Sequence, residues 1–463
     1  MRRKGEMEVS EAPENESGGM SIRELYGIYE KCGGRVATDS RTITGGELFF
    51  ALRGDNFDGN EFAAKALEAG AAFAVVDSAS VPEIPGKIFR TENSLRTLQE
   101  LARFHREELA RRGTLKCVIG LTGTNGKTTT KELTKAVLAT KYAVHATEGN
   151  LNNSIGVPLT LLRMTADTEV AVIEMGASHP GDIKELVETA RPEYGLITNV
   201  GKAHLLGFGS FQGVKDTKGE MYDFIAAHGG RIFLDADNPH LTGMAAERGF
   251  TDERTVRYGM KLCGAEVVPA DGEHPFLRLD AGGIRVETFL VGAYNAGNVL
   301  AALAVGKEFG VDADEAAAAI GSYRPSNSRS QMMDTGRNTL IVDAYNANPT
   351  SMEAALANFS DIRADKKAVV LGDMRELGEE SFAEHRRIVE MLPSVKGLRL
   401  AVLAGSEFGR AAGEAVQEEG PEIRCFASSA EAARFFEETA PAGWCMLVKG
   451  SRGMKMENVI PAL

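Results

Sequence analysis

Residues 120–130 read Gly-Leu-Thr-Gly-Thr-Asn-Gly-Lys-Thr-Thr-Thr. The run before them, Leu115-Lys116-Cys117-Val118-Ile119, has the length and apolar character of a buried strand, and Lys131 to Leu138 has the spacing of a helix. Strand, glycine-containing loop, Gly-Lys-Thr and helix is the layout of a phosphate-binding loop. Gly123 and Gly126 let backbone N–H groups turn toward an anion, and the helix N-terminus adds partial positive charge. Lys127 can then reach the β- and γ-phosphates of a nucleotide, and the Thr128 hydroxyl can hold Mg²⁺. Leu121 stands where the general pattern has its first glycine, so the loop is a variant. The bland alternative is a glycine-rich turn with a surface lysine. The strand before and the helix after favour nucleotide binding.

A chain of 463 residues is too long for one core and predicts two to four domains. Its 43% apolar and 25% charged content is that of a soluble globular protein, and a net charge of −13 argues against a nucleic-acid partner. The five cysteines, Cys32, Cys117, Cys263, Cys425 and Cys445, are scattered with no C-x-x-C pair, and Cys117 and Cys445 lie in apolar strand-like runs. Buried thiols in a reducing cytoplasm are expected. No apolar run approaches the ~18 residues of a membrane span, so no membrane insertion is expected. Residues 1–19 lack an apolar signal core, and their Glu, Ser, Pro and Gly content predicts a disordered tail.

Outward from the loop, the pattern predicts an α/β protein of three domains. Residues 20–112 form a small N-terminal α/β domain. A capping box (Ser21 to Glu24) opens a helix, strands are expected near 48–52 and at Phe73–Val76, and a long amphipathic helix runs from Ser94 to Arg112. Residues 113–322 form a central doubly wound, mostly parallel sheet that carries the phosphate loop, with strands at 115–119, 170–175, 195–200 and 231–234. An antiparallel addition with turns at Asp271-Gly272 and 280–283 is expected over 264–291, then helices at 295–309 and 312–321. The polar segment Tyr323 to Ser328 reads as a linker. Residues 323–463 form a C-terminal Rossmann-like open α/β sheet with strands at 339–343, 367–371, 399–404 and 445–449. Its helices are expected at 350–360, 381–392, 407–418 and 429–439.

In open α/β sheets ligands gather beyond the C-terminal strand ends. Glu174 ends one central strand, where a carboxylate suits Mg²⁺. His204 follows the next strand and is a candidate metal or phosphate contact. Lys218 reads by spacing alone as a solvated helix residue. Asn152 and Asn153 lie in an amide-rich turn that either caps a helix or contacts substrate. Asp343-Ala344-Tyr345-Asn346-Ala347-Asn348-Pro349 ends a C-terminal strand and opens a helix with proline in its first turn. Its Tyr345, Asn346 and Asn348 suit recognition of a polar ligand, and Lys449-Gly450-Ser451-Arg452 ends another strand similarly.

Together these motifs resemble the Mur ligase family, ATP-dependent amide ligases that build the peptide stem of peptidoglycan. The family's phosphate loop, T-G-T-N-G-K-T-T, corresponds to Thr122, Gly123, Thr124, Asn125, Gly126, Lys127, Thr128 and Thr129, which accounts for the missing first glycine. Glu-Met-Gly (174–176), Ala-His-Leu (203–205), Lys-Gly-Glu (218–220) and Lys-Gly-Ser-Arg (449–452) also match. The 343–349 and 371–378 segments with His385, and His204-Leu205…Phe208-Gly209-Ser210, resemble members that join a UDP-N-acetylmuramoyl-tripeptide to D-alanyl-D-alanine. The resemblance covers about residues 20–463. The chain departs from the family at Tyr294-Asn295, at Ser328-Arg329 and at Asp343-Ala344.

The resemblance implies ATP and Mg²⁺ as cofactors. Lys127, Lys218 and His204 would be catalytic, and Thr128, Glu174, His204 and a carbamylated Lys218 would bind metal. Asn298, Arg329 and Asp343 would contact adenine, phosphate and ribose. Asp39-Ser40-Arg41 and residues 46–52 look like the family's UDP-sugar-binding segment, with Ser40 and Arg41 as contacts. The dipeptide would be recognised by Tyr345, Asn346 and Asn348. The chain is expected to act as a monomer on small-molecule substrates. The rival readings are the ligase for the third stem residue, a folylpolyglutamate synthase, and a non-catalytic nucleotide-binding scaffold.

Overall fold

The computed structural model describes residues 20–54, 57–269, 275–326, 329–414 and 420–463. The expected tail at 1–19, the Asp271-Gly272 turn, Asn327 and Ser328 of the expected linker, and residues 415–418 of the helix expected at 407–418 lie outside these. Contacts group the residues into two units. One runs to Thr114 and includes Ser154–Ala166, and the other comprises Leu115–Asn153 and Asp167–Leu463.

The first unit holds a parallel four-stranded sheet in the order Val36–Ala37, Leu48–Phe50, Phe73–Val76, Ile88–Arg90. Helix Ile22–Lys31 begins at the expected capping box, with both reciprocal bonds between Ser21 and Glu24 in place. Asn93 caps the long helix Ser94–Arg111, whose apolar face includes Leu98, Leu101, Ala102 and Leu109. Residues 154–166 contribute helix Gly156–Leu162, which packs on that long helix, and the Tyr29 hydroxyl donates to Leu162 O (2.6 Å).

The second unit contains two six-stranded α/β sheets. The central sheet is parallel throughout, in the order Thr255–Tyr258, Arg231–Asp235, Tyr194–Ile197, Cys117–Thr122, Val170–Glu174, Val144–Ala146. Cys117–Thr122 is buried at every residue, as a central parallel strand covered on both faces must be. The strand therefore starts two residues later than the expected 115–119 and runs three residues past its end. Helix Lys127–Leu138 follows, with Leu133 and Val137 fully buried in one core with Val299 and Leu300 of helix Ala296–Glu308. Burial of each such side chain is worth about 1.5–3 kcal/mol. The expected antiparallel addition is the three-stranded sheet of Ala265–Val268, Arg278–Ala281 and Ile284–Glu287.

The C-terminal sheet is ordered Gln331–Asp334, Thr339–Asp343, Cys445–Lys449, Lys367–Gly372, Leu398–Ala404, Glu422–Phe426. Only the first pair is antiparallel, so the sheet is mixed at one edge. The expected helices appear as Pro349–Asp361, Ser381–Met391, Ser406–Glu414 and Ser429–Thr439. Among the described residues no helix is long and apolar enough to cross a membrane.

Candidate active site

The register of the central sheet decides where the site lies. Leu121 pairs with Glu174, and Thr122 pairs with Ile197, so three adjacent strands end at one level. The chain leaves the middle strand through residues 123–126 and enters helix Lys127–Leu138 at Gly126, which has φ 79°. The left-handed backbone at this cap is why glycine stands there. A Cβ at Gly126 would also lie 2.5 Å from Asn298 Oδ1.

The loop is braced from the neighbouring strand end. Asn199 O accepts from Thr124 N (3.0 Å), and Asn199 Oδ1 accepts from Asn125 N (3.0 Å). Thr198 Oγ1 donates to Asn125 O (2.6 Å), and the buried Thr122 hydroxyl donates to Met175 O (2.7 Å). Lys127 Nζ lies across the loop, donating to Gly123 O (2.8 Å) and Thr124 O (3.2 Å). Burial pushes its pKa down, opposed by the Glu174 carboxylate. Thr128 and Thr129 are buried at the first turn.

Glu174 is 1% exposed. Its Oε1 accepts from Asn152 Nδ2 (2.9 Å) and from the Thr128 hydroxyl (3.3 Å), while its N–H bonds Thr147 Oγ1 (2.9 Å). Its Oε2 is buried and has no hydrogen-bond partner among the described residues. A buried carboxylate oxygen without a donor is costly, and a hard cation beside it removes that cost. Mg²⁺ fits this donor set, because it takes oxygen ligands and is usually held by one or two carboxylates plus phosphate and water.

Lys218 and His204 complete the cluster. Lys218, on helix Phe211–Ala227, is 3% exposed, not solvated as its spacing suggests. Its Nζ lies 5.6 Å from the centre of the Phe208 ring. Burial, then the Lys127 charge, lower its pKa to about 7. His204 caps a four-residue helix in the left-handed conformation, φ 51°. Burial lowers its pKa against the opposing Glu376 carboxylate, and the charges of Lys127 and Lys218 lower it further.

The C-terminal sheet brings its own residues to the loop. Asn348 caps helix Pro349–Asp361 through Ser351, and its Nδ2 donates to Asn125 Oδ1 (2.8 Å). Tyr345 is covered by Arg329, whose guanidinium carbon lies 3.7 Å from the ring centre, and its hydroxyl accepts from Arg452 Nη1 (3.1 Å). Arg329 Nε has no partner among the described residues. Asp343 is paired with the buried Lys449. Asn346 is exposed and accepts from Ala347 N (2.9 Å). Asn298 is engaged inward, accepting from the Thr130 hydroxyl (3.0 Å) and donating to Asn295 Oδ1 (2.9 Å).

Asn153 is exposed. In the first unit, Arg41 is exposed and paired with Asp39, whose carboxyl its hydrogen bonds hold near pKa 2. Ser40 opens the short 3₁₀ turn Ser40–Thr42 beside them. Sequence reading gave no role to Thr147, Asn199 or Glu376, which act through the backbone or through other side chains and carry no spacing signal of their own.

The chain is similar to known proteins along most of its length. Residues 35–106 match the Mur ligase family, catalytic domain; residues 121–306 the Mur ligase middle domain; and residues 328–452 the Mur ligase, glutamate ligase domain. The chain is 35% identical to the UDP-N-acetylmuramoyl-tripeptide–D-alanyl-D-alanine ligase of Bacillus subtilis, over 92% of each chain. It is 32% identical to the Escherichia coli ligase of the same name, over 92% of this chain and 93% of that one. MurF ligase from Thermotoga maritima in complex with ADP superposes with a TM-score of 0.79 at 26% identity, covering 92% of this chain and 96% of that one.

Proposed function

Because the chain belongs to the Mur ligase family, we propose that it is the ATP-dependent ligase that joins D-alanyl-D-alanine to a UDP-N-acetylmuramoyl-tripeptide. The observation that carries this reading is the meeting of two parts: a braced phosphate loop beside the unpartnered Glu174 carboxylate oxygen, and Asn348 of the 343–349 segment bonded to that loop.

The terminal carboxylate of the tripeptide attacks the γ-phosphorus of ATP, the bond to ADP breaks, and an acyl phosphate forms. The dipeptide amine attacks the acyl carbon, loses a proton, and expels phosphate. Such transfer depends on positioning and charge neutralisation rather than on a protein nucleophile. Lys127 and the amides of residues 123–128 hold the phosphates. Thr128, Glu174 and His204 would hold Mg²⁺, which would neutralise charge on the transferring phosphoryl group. Lys218 supports a further role: an amine with a pKa near 7 is substantially neutral at physiological pH, and only the neutral amine adds CO₂. The resulting carbamate, formed with loss of a proton, is an oxygen ligand.

Asn298, Arg329 and Asp343 are assigned to the nucleotide, and Arg41 and Ser40 to the nucleotide-sugar end of the substrate. Tyr345, Asn346 and Asn348 are assigned to the dipeptide. In this reading the protein acts as a monomer in the cytoplasm and completes the soluble precursor of peptidoglycan. The test offers D-alanyl-D-alanine, a diamino acid and glutamate in parallel with ATP and the matching nucleotide-sugar acceptors. Phosphate release and an amide product are expected with D-alanyl-D-alanine alone. Turnover with either other amine would move the chain to another branch of the family, and none with any pair would favour a scaffold.

A further inference from the structure

Taking His204 as a contact to the site cation, as in the reading above, we propose that Glu376 of the C-terminal sheet is the positioning residue that aims the His204 ring. His204 Nδ1 is hydrogen-bonded to Glu376 Oε2, across 172 residues of sequence. A carboxylate only accepts, so Nδ1 carries the proton and Nε2 keeps its lone pair for a ligand. Carboxylate on one nitrogen and metal on the other is the usual arrangement around a metal-binding histidine.

The backbone supports the pairing. His204 and Glu376 are both non-glycine residues with positive φ, 51° and 65°. Such conformations are strained and persist where the surroundings enforce them. Here each fixes the other, because Leu206 N also donates to Glu376 O (3.1 Å). The loop presenting Glu376 is itself pinned. Met374 N donates to the fully buried His385 ring (2.9 Å), and Arg375 N donates to Ser451 Oγ (2.8 Å). Asp373 accepts from Glu407 N (3.1 Å) and Phe408 N (2.9 Å). Alongside, Lys202 Nζ bonds Glu384 Oε1 (2.6 Å) on helix Ser381–Met391, a separate contact between the two sheets' segments that does not involve His204. His204 is thus oriented only while the C-terminal loop is seated, which ties cation binding to the arrival of the sheet that carries Tyr345 and Asn348.

The experiment measures Mn²⁺ binding by electron paramagnetic resonance to the full chain with a non-hydrolysable ATP analogue. Steady-state rates are taken alongside. Glu376→Ala is expected to weaken Mn²⁺ binding and lower kcat by about 10–100-fold, with KM for ATP at saturating metal little changed. Glu376→Gln, whose amide oxygen accepts the same proton, is expected to recover most of the affinity. Lys202→Met loosens the neighbouring contact and should leave Mn²⁺ affinity close to that of the unaltered protein. Glu376 is 58% exposed at its side chain, so its removal should leave the folding midpoint nearly unchanged. Unaltered Mn²⁺ affinity in Glu376→Ala would overturn the proposal. So would an equal loss in Lys202→Met, which would make Glu376 a docking contact only. His204→Ala separates the two levels: if it leaves Mn²⁺ affinity unaltered, the metal role of His204 fails, whereas an effect there with none at Glu376 sinks the positioning role alone.

Discussion

Glu47, in the first unit, shows how one side chain sets a local pH dependence. Burial would raise its pKa, but hydrogen bonds from the Thr44 hydroxyl (2.5 Å), Gly45 N (2.9 Å) and Thr44 N (3.1 Å) outweigh burial and bring it to about 2. A carboxylate whose pKa is lower folded than unfolded stabilises above the unfolded value, near 4.5, and loses that contribution as pH falls through about 2. Glu47→Gln should therefore cost about 2 kcal/mol at pH 7, and the gap from the unaltered protein should close between pH 4.5 and 2, read by denaturant unfolding. A pH-independent gap would contradict this. Residues that act through a motif, such as Lys127, Thr128 and Glu174, could be read from sequence because their chemistry is local to a strand end. Lys218 was reached only through the family resemblance: it is buried, with Phe208 beside it, and helical spacing carries no trace of that. Glu376 sits in a motif with no sequence cue to its partner, because the bond joins two loops on different sheets.

At the scale of elements, the phosphate-loop helix depends on its first cap. Gly126→Ala would force a left-handed alanine, at roughly 1–3 kcal/mol, and would push Asn298 off the Thr130 hydroxyl it accepts from. The expected outcome is a lower folding midpoint and at least a tenfold loss of ATP-analogue affinity by calorimetry, each tenfold being about 1.4 kcal/mol. Gly297→Ala serves as the control. Its chain neighbours and its own helix backbone aside, no described atom lies within 4 Å of the added methyl, and alanine favours the helix, so stability should hold or rise. Equal affinity in both variants would remove Gly126 from phosphate binding. The buried strands Val170–Glu174, Thr339–Asp343 and Cys445–Lys449 were legible as continuous apolar runs. The edge strands Val144–Ala146, Thr255–Tyr258, Gln331–Asp334 and Glu422–Phe426 were not. They are short or partly exposed, and their pairing is set by the neighbouring strand rather than by their own pattern.

Across the whole molecule, the second unit works by juxtaposition. The central sheet supplies the phosphate loop, Glu174, His204 and Lys218; the C-terminal sheet supplies Asn348 on Asn125, Glu376 on His204 and Glu384 on Lys202. Neither sheet alone has both the groups assigned to the triphosphate and those assigned to the incoming amine. The central claim is that a carboxyl group is activated by the γ-phosphate beside Lys127. The most direct measurement uses UDP-N-acetylmuramoyl-tripeptide with both oxygens of its reacting terminal carboxylate replaced by ¹⁸O, turned over with ATP and D-alanyl-D-alanine, and mass spectrometry of the released phosphate. An acyl phosphate leaves one carboxylate oxygen on phosphorus, so each phosphate should carry a single ¹⁸O. Unlabelled phosphate, with amide product still formed, would contradict the account.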